Sequence, residues 1–187
     1  MDLGLKGKVA LVTGGSKGIG KAIARGLARE GAKVAICARN KAPLEAAAKE
    51  IAKETGSELF SVAGDLTQPE DVQRIVDATV RHFGRIDILV NNAGAAPGGE
   101  ILNLTEEDWQ QALQLKLMGH VRCSKAVIPQ MLKQGGGRIV NIVGNDGVKP
   151  VGFEITPSAA NAADLAVTIA LADQYGKHNI LVNAINP

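Results

Sequence analysis

Short apolar runs rich in Val, Ile and Leu alternate along the chain with longer Ala-rich stretches whose apolar residues recur at helical spacing. The runs KVALVT, KVAICA, ELFSVA, RIDILVNN, GRIVNIV and NILVNAIN read as six strands. They are almost wholly apolar, as expected of parallel strands covered by helices on both faces, which have no water-facing side to keep polar. The stretches between them predict helices at about 18–30, 42–55, 69–83, 105–133 and 157–176, long enough to serve as crossovers between parallel strands. Thr67 and Asp71 around Pro69-Glu70, and Thr105-Glu106-Glu107-Asp108 before Trp109, carry helix-start chemistry. Gly-rich segments at 94–99 and 135–137 mark loops. The pattern predicts one α/β domain: a doubly wound parallel sheet of about six strands with helices on both faces. The sixth strand runs straight into Pro187, so it is expected at a sheet edge, where an unpaired strand invites a partner.

Composition narrows the function classes. A chain of 187 residues, 45% hydrophobic and 21% charged, is ordinary for one globular domain. Its 21 basic and 19 acidic residues are well mixed and leave a net charge of +2, so no basic face is set up for nucleic acid or an anionic membrane. Cys37 and Cys123 lie far apart without metal-ligand spacing, which points away from a disulfide framework or a metal site and suits a reducing cytosol. No signal-type segment opens the chain, and no uninterrupted apolar run approaches the roughly 20 residues of a bilayer span. The expected location is cytoplasmic.

Candidate chemistry begins at Thr13–Gly20, TGGSKGIG, which follows the first strand and opens the first helix. Gly14 suits a tight turn with positive φ, Gly18 lets backbone approach a diphosphate, and Gly20 permits close helix–strand packing. Ser16, Lys17 and Ile19 complete a helix N-terminus whose free N–H groups favour phosphate.

Together with GDL at 64–66, NNAG at 91–94 and LVNAINP at 181–187, in order and at compatible separations, this segment resembles the short-chain dehydrogenase/reductase family over the whole chain. The resemblance implies a Rossmann-type fold and nicotinamide dinucleotide binding. Asp65 would accept from the adenine amine with Leu66 bordering the ring, Asn91, Ala93 and Gly94 would line the ribose and diphosphate, and Pro187 would join them. The end of the second strand reads Ala38-Arg39-Asn40, with no acid to hold a ribose 2′-hydroxyl. Arg39 and Asn40, with Lys17 nearby, therefore favour NADP(H) over NAD(H). Family members continue beyond the position of Pro187 into a substrate loop and a further strand. They also self-associate, here as a dimer or tetramer through the helices at 105–133 and 157–176, where Ala159, Ala160, Ala162 and Ala163 permit close approach.

The family's Asn, Ser, Tyr and Lys catalytic positions fall on Lys116, Gly144, Pro157 and Asn161, so the site is expected to be atypical. Tyr175 does not replace the missing acid. It lies roughly 27 Å down the helix that starts near Pro157, away from the carboxyl ends of the strands where reacting groups gather. His82 and His178 fall at that same far end, and His120 reads as a half-buried structural residue. The polar residues left near the site are Lys116, Asn145, Asp146, Lys149, Glu154, Thr156, Ser158 and Asn161. Among these Lys116, Asn145 and Asn161 are the catalytic candidates. The Lys116 ammonium can polarise a carbonyl or hold the nicotinamide ribose, against the plainer reading of a solvated helix lysine. Asn161 can still bind ribose hydroxyls, and Asn145 is otherwise a turn former. Removing a positioned acid forfeits about 10²–10⁴-fold, while alignment of hydride donor and acceptor still contributes. The expected function is NADP(H)-dependent hydride transfer to or from a small carbonyl or alcohol, with no metal. The alternative is a catalytically inactive NADP(H)-binding sensor or scaffold.

Overall fold

The computed structural model describes residues 2–187. Strands β1 (Val9–Thr13), β2 (Lys33–Ala38), β3 (Leu59–Ala63), β4 (Ile88–Asn91), β5 (Gly137–Ile142) and β6 (Ile180–Ile185) form one sheet in the order β3-β2-β1-β4-β5-β6. All neighbouring pairs are parallel. Helices α1 (Gly18–Arg29), α2 (Lys41–Thr55), α3 (Pro69–Phe83), α4 (Glu106–Ala112), α5 (Met118–Lys133) and α6 (Ile155–Tyr175) make the crossovers. The strand order reverses between β1 and β4, and at such a point the loops on the two sides diverge and leave a crevice beyond the carboxyl ends of the strands.

Two apolar cores cover the two faces of the sheet. Alternate side chains of each strand feed one or the other: Leu11, Ala35 and Leu89 belong to the core shared with α3 and α5, and Ala10, Val12 and Ile36 to the core shared with α1 and α2. This division explains why the strands read as unbroken apolar runs, and β1 is buried at every position.

Local chemistry fixes the helix starts, once as expected and once differently. Thr105 accepts from the Asp108 amide while Asp108 accepts from the Thr105 amide, the reciprocal cap that the sequence predicts. At α3 the first-turn acid serves the preceding loop instead. Asp71 accepts from the Asp65 amide at 2.8 Å and pairs with Arg74 at 2.6 Å, and these two partners hold its carboxyl below the usual carboxylate range.

The single helix expected at 105–133 is interrupted. A π turn, Leu113–Leu117, separates α4 from α5, and Lys116 sits inside it. Such a turn inserts a residue into the helical ladder and re-aims the side chains beyond it, and it recurs at functional sites.

Strand β6 lies at the sheet edge, with Leu181 and Ile185 partly exposed. Helix α6 continues to His178 as a segment long and apolar enough to cross a bilayer by length and composition, at a mean hydropathy of 1.3. Its inward face carries buried Asn161, Asp164 and Thr168, which are paired with neighbouring elements, so the apolar average reflects a core helix with an open outer face.

Candidate active site

A cleft of about 460 Å³ opens at the carboxyl ends of the central strands. Its floor is the glycine turn between β1 and α1. Gly14 and Gly18 adopt φ of +68° and +55°, in the left-handed region that costs a glycine nothing. Thr13 Oγ1 accepts from the amides of Asn92 and Ala93 at 2.9 and 3.0 Å, and Asn92 Nδ2 donates to the Thr13 carbonyl at 2.9 Å, tying the loop after β4 to the turn. A side-chain carbon on Gly20 would drive into the Gly14 carbonyl and the Asn92 amide, whereas one on Gly18 would meet open space. The turn is thus closed below and open above. Lys17 caps α1 without a side-chain hydrogen bond, and the first turn of α1 holds no acid, so its amides and dipole face the cleft uncompensated. This geometry fits a dinucleotide diphosphate.

Of the residues expected at the cofactor, Gly14, Ser16, Lys17, Gly18, Ile19, Arg39, Leu66, Ala93, Gly94 and Pro187 line this cleft. Lys17 and Arg39 are exposed and form no ion pair among the described residues, which leaves two cations free at the cleft. Gly20 lies beneath the turn in its packing role. Three residues are placed elsewhere. Asn40 caps α2 off the cleft wall, its carbonyl accepting from Leu44. Asp65 lies between two wall residues but its Oδ1 accepts from the Thr67 amide, an Asx turn that organises the loop into α3. Asn91 is fully buried and points away from the cleft, because its amide is needed by Asn141 at 2.9 Å and Ser124 at 3.1 Å under the loop. Cys37 contributes to the floor as an inert group, since burial pushes its thiol up to about 12.

A family model described as short chain dehydrogenase matches residues 8–187. The chain belongs to the short chain dehydrogenase family. It is 38% identical to a 3-oxoacyl-[acyl-carrier-protein] reductase of Synechocystis over 98% of this chain and 74% of that protein. Among solved structures, L-sorbose reductase from Gluconobacter frateurii, in complex with NADPH and L-sorbose, superposes with a TM-score of 0.97 at 39% identity, covering 100% of this chain and 71% of that one. An NAD⁺-bound xylitol dehydrogenase gives 0.95 at 38% identity, covering 98% and 70%. These relatives are named reductases and dehydrogenases, and the chain is an oxidoreductase of the short chain dehydrogenase type.

Among the expected catalytic candidates, Lys116 is on the cleft wall, packed so closely against the loop after β4 that a Cβ on Gly94 would lie 3.0 Å from its Cγ. It is half-buried and forms no ion pair among the described residues. Gly144 also lines the cleft, and its missing side chain matters. A Cβ there would collide with Asp146 Oδ1 and lie 2.6 Å from Asn161 Nδ2, two atoms that bond each other at 2.7 Å. The Asn161–Asp146 bridge occupies the volume of a serine side chain at 144, so Gly144 and Asn161 form one packed unit.

Pro157 sits in the first turn of α6, where its missing N–H leaves no gap. Asn145 is exposed and off the cleft, with its carbonyl closing the short turn by accepting from Val148 and Lys149. Lys149 and Glu154 are exposed, while Thr156 and Ser158 are buried, the former donating to the Pro97 carbonyl. Tyr175 packs against the core at the far end of α6, as the helix arithmetic predicts.

His120 requires a correction. It is buried rather than half-buried, on the cleft wall, bonded to Asp164 at 2.6 Å and to the Ala93 carbonyl at 3.2 Å. Asp164 escaped notice in the sequence. The available signal was the spacing of Asn161, Asp164 and Thr168, which places three polar groups on one face of a helix otherwise built from Ala, Leu, Val and Ile.

Proposed function

We propose that the chain is an NADP(H)-dependent oxidoreductase that interconverts a small carbonyl and alcohol, using a site in which Lys116, Gly144, Pro157 and Asn161 stand at the family's usual Asn, Ser, Tyr and Lys positions. The observation that carries this reading is the cleft itself, open over the glycine turn and bordered by Lys17 and Arg39, which form no ion pair among the described residues. A 2′-phosphate beside Arg39 would gain charge-assisted hydrogen bonds that a 2′-hydroxyl cannot match. The L-sorbose reductase neighbour was solved with NADPH, while the xylitol dehydrogenase holds NAD⁺, so the choice for this chain rests on its own Arg39 and Lys17 at the cleft.

When bound, the reduced nicotinamide supplies the hydride. The protein's part is alignment and charge. Lys116, on the wall beside Gly94, donates to the substrate oxygen, stabilises the negative charge that grows there and hands over a proton. Asn161 holds Asp146 in place and carries no charge with which to tune a neighbour. That bridge also favours a second reading, an NADP(H)-binding sensor or scaffold without turnover, because it fills the space where substrate is usually oriented.

We also propose self-association through the outer face of α6, where Ala159, Ala162, Ala166, Ile169 and Ala170 form an exposed apolar stripe; of the alanines expected there, Ala160 is instead buried and Ala163 half-buried. The experiment is NADPH consumption over a panel of small carbonyls, with NADH in parallel, for the native protein and Arg39→Ala. The expected result is turnover with NADPH, lost by about tenfold or more in KM for NADPH in Arg39→Ala and unchanged for NADH. Binding without consumption would select the sensor reading, and equal use of NADH by the native protein would remove the cofactor assignment.

A further inference from the structure

We propose that His120 is a positioning residue for the cofactor cleft: a second ring proton, held by Asp164, lets it clamp the Ala93 carbonyl and keep the cleft wall in its binding shape. The inference rests on the cofactor reading above. The His120 and Asp164 side chains are 5% and 2% exposed, with Nδ1 at 2.6 Å from Asp164 Oδ2 and Nε2 at 3.2 Å from the Ala93 carbonyl. Both partners accept hydrogen bonds. A neutral imidazole has one N–H, so it satisfies one of them and turns a lone pair on the other. Only the doubly protonated ring donates to both.

Asp164 supplies the countercharge, and its other oxygen, Oδ1, is buried with no donor among the described residues. Among the described residues the ring N–H is therefore the one hydrogen bond its carboxylate receives, and a buried carboxylate left without any is costly. A buried ion pair contributes little to stability compared with apolar packing of similar volume. Its position at the cleft, rather than the core's need for it, is the feature to explain.

The consequence falls on the loop after β4. The Ala93 amide donates to Thr13 Oγ1 and its carbonyl accepts from His120, so this peptide is fixed on both sides where it lines the cleft. When the ring loses one proton, a lone pair faces either Ala93 or Asp164, and the clamp or its anchor is released. Three other charged side chains belong to the elements packed here. Lys116 lies one turn earlier in the same helical run, and Asp146 is bonded to Asn161 one turn before Asp164. Arg122 is turned to the Leu66 and Gln114 carbonyls, and Asn91 of β4 reaches the His120 backbone carbonyl rather than its ring.

The test is calorimetric titration of NADPH across about pH 6 to 9, the range in which imidazoles titrate. The protonated pair is the binding form, so affinity of the native protein is expected to fall by about tenfold or more as pH rises across this range. In His120→Gln an amide N–H replaces Nε2–H on Ala93 with nothing to titrate. In Asp164→Asn the new amide donates to neutral Nδ1, leaving Nε2–H on Ala93. Both variants are expected to bind as the native protein does at low pH and to lose the pH dependence, whereas His120→Val binds weakly throughout. The ligand's phosphate titrates equally in all four, so the difference between profiles decides. Matching slopes in the native protein and His120→Gln overturn the proposal.

If the native protein binds no NADPH at any pH, the cofactor reading falls. The clamp is then decided on the cofactor-free native protein by the ¹⁵N shifts of the His120 ring, which equally covers a variant that fails to fold. Two protonated nitrogens at neutral pH support it, and one overturns it.

Discussion

Gly20→Val is expected to abolish dinucleotide binding and to destabilise the protein by about 2–3 kcal/mol. A side-chain carbon at this position meets the Gly14 carbonyl and Asn92 Nδ2 well inside van der Waals distance. Neither obstacle yields easily. The Gly14 carbonyl is backbone in a turn held at φ +68°, and Asn92 Nδ2 is already committed to the Thr13 carbonyl. Relief of the clash requires α1 to lift from β1, which carries its first-turn amides away from the diphosphate position. Gly26, on the same helix, is the control: a Cβ there meets nothing within 4 Å, so Gly26→Ala should leave binding intact and stabilise by roughly 0.5–1 kcal/mol through helix propensity. Denaturant unfolding of the two variants measures the stabilities, and calorimetry measures the binding.

Lys116→Met is expected to lower turnover by about 10²–10⁴-fold while leaving NADPH affinity within about threefold. Met keeps the length and apolar contact against Gly94 but offers no proton. An effect confined to kcat would mark an interaction made as charge develops on the substrate oxygen, and Lys116→Arg, which keeps the charge, should recover part of the rate. Equal loss of NADPH affinity would instead assign Lys116 to ribose binding. Unchanged turnover would remove it from the chemistry.

The architecture was legible because its signals are local and repeated. Strands such as KVALVT are apolar throughout since the two cores divide their side chains, and the helix start at Thr105 carries its own cap. The π turn at Leu113–Leu117 left no mark in the sequence, where 105–133 reads as one continuous helix. The glycine turn was legible for the same reason as the strands: Gly14, Gly18 and Gly20 are each required by backbone geometry within eight residues. Asn91 was misplaced because the sequence gives its position at a strand end but not its facing, which Asn141 and Ser124 decide from two other elements. The Asn161–Asp146 bridge and the His120–Asp164 pair span 15 and 44 residues, so each half looks unremarkable alone. Only the fold brings the halves together.

The central claim is that the mouth between β1 and α1 grips a nicotinamide dinucleotide, and the most direct measurement is calorimetric titration of the native protein with NADPH beside Gly20→Val. The account predicts saturable binding of one NADPH per native chain, tighter than NADH, and none to the variant. Absence of binding to the native protein, or equal binding to Gly20→Val, would contradict it.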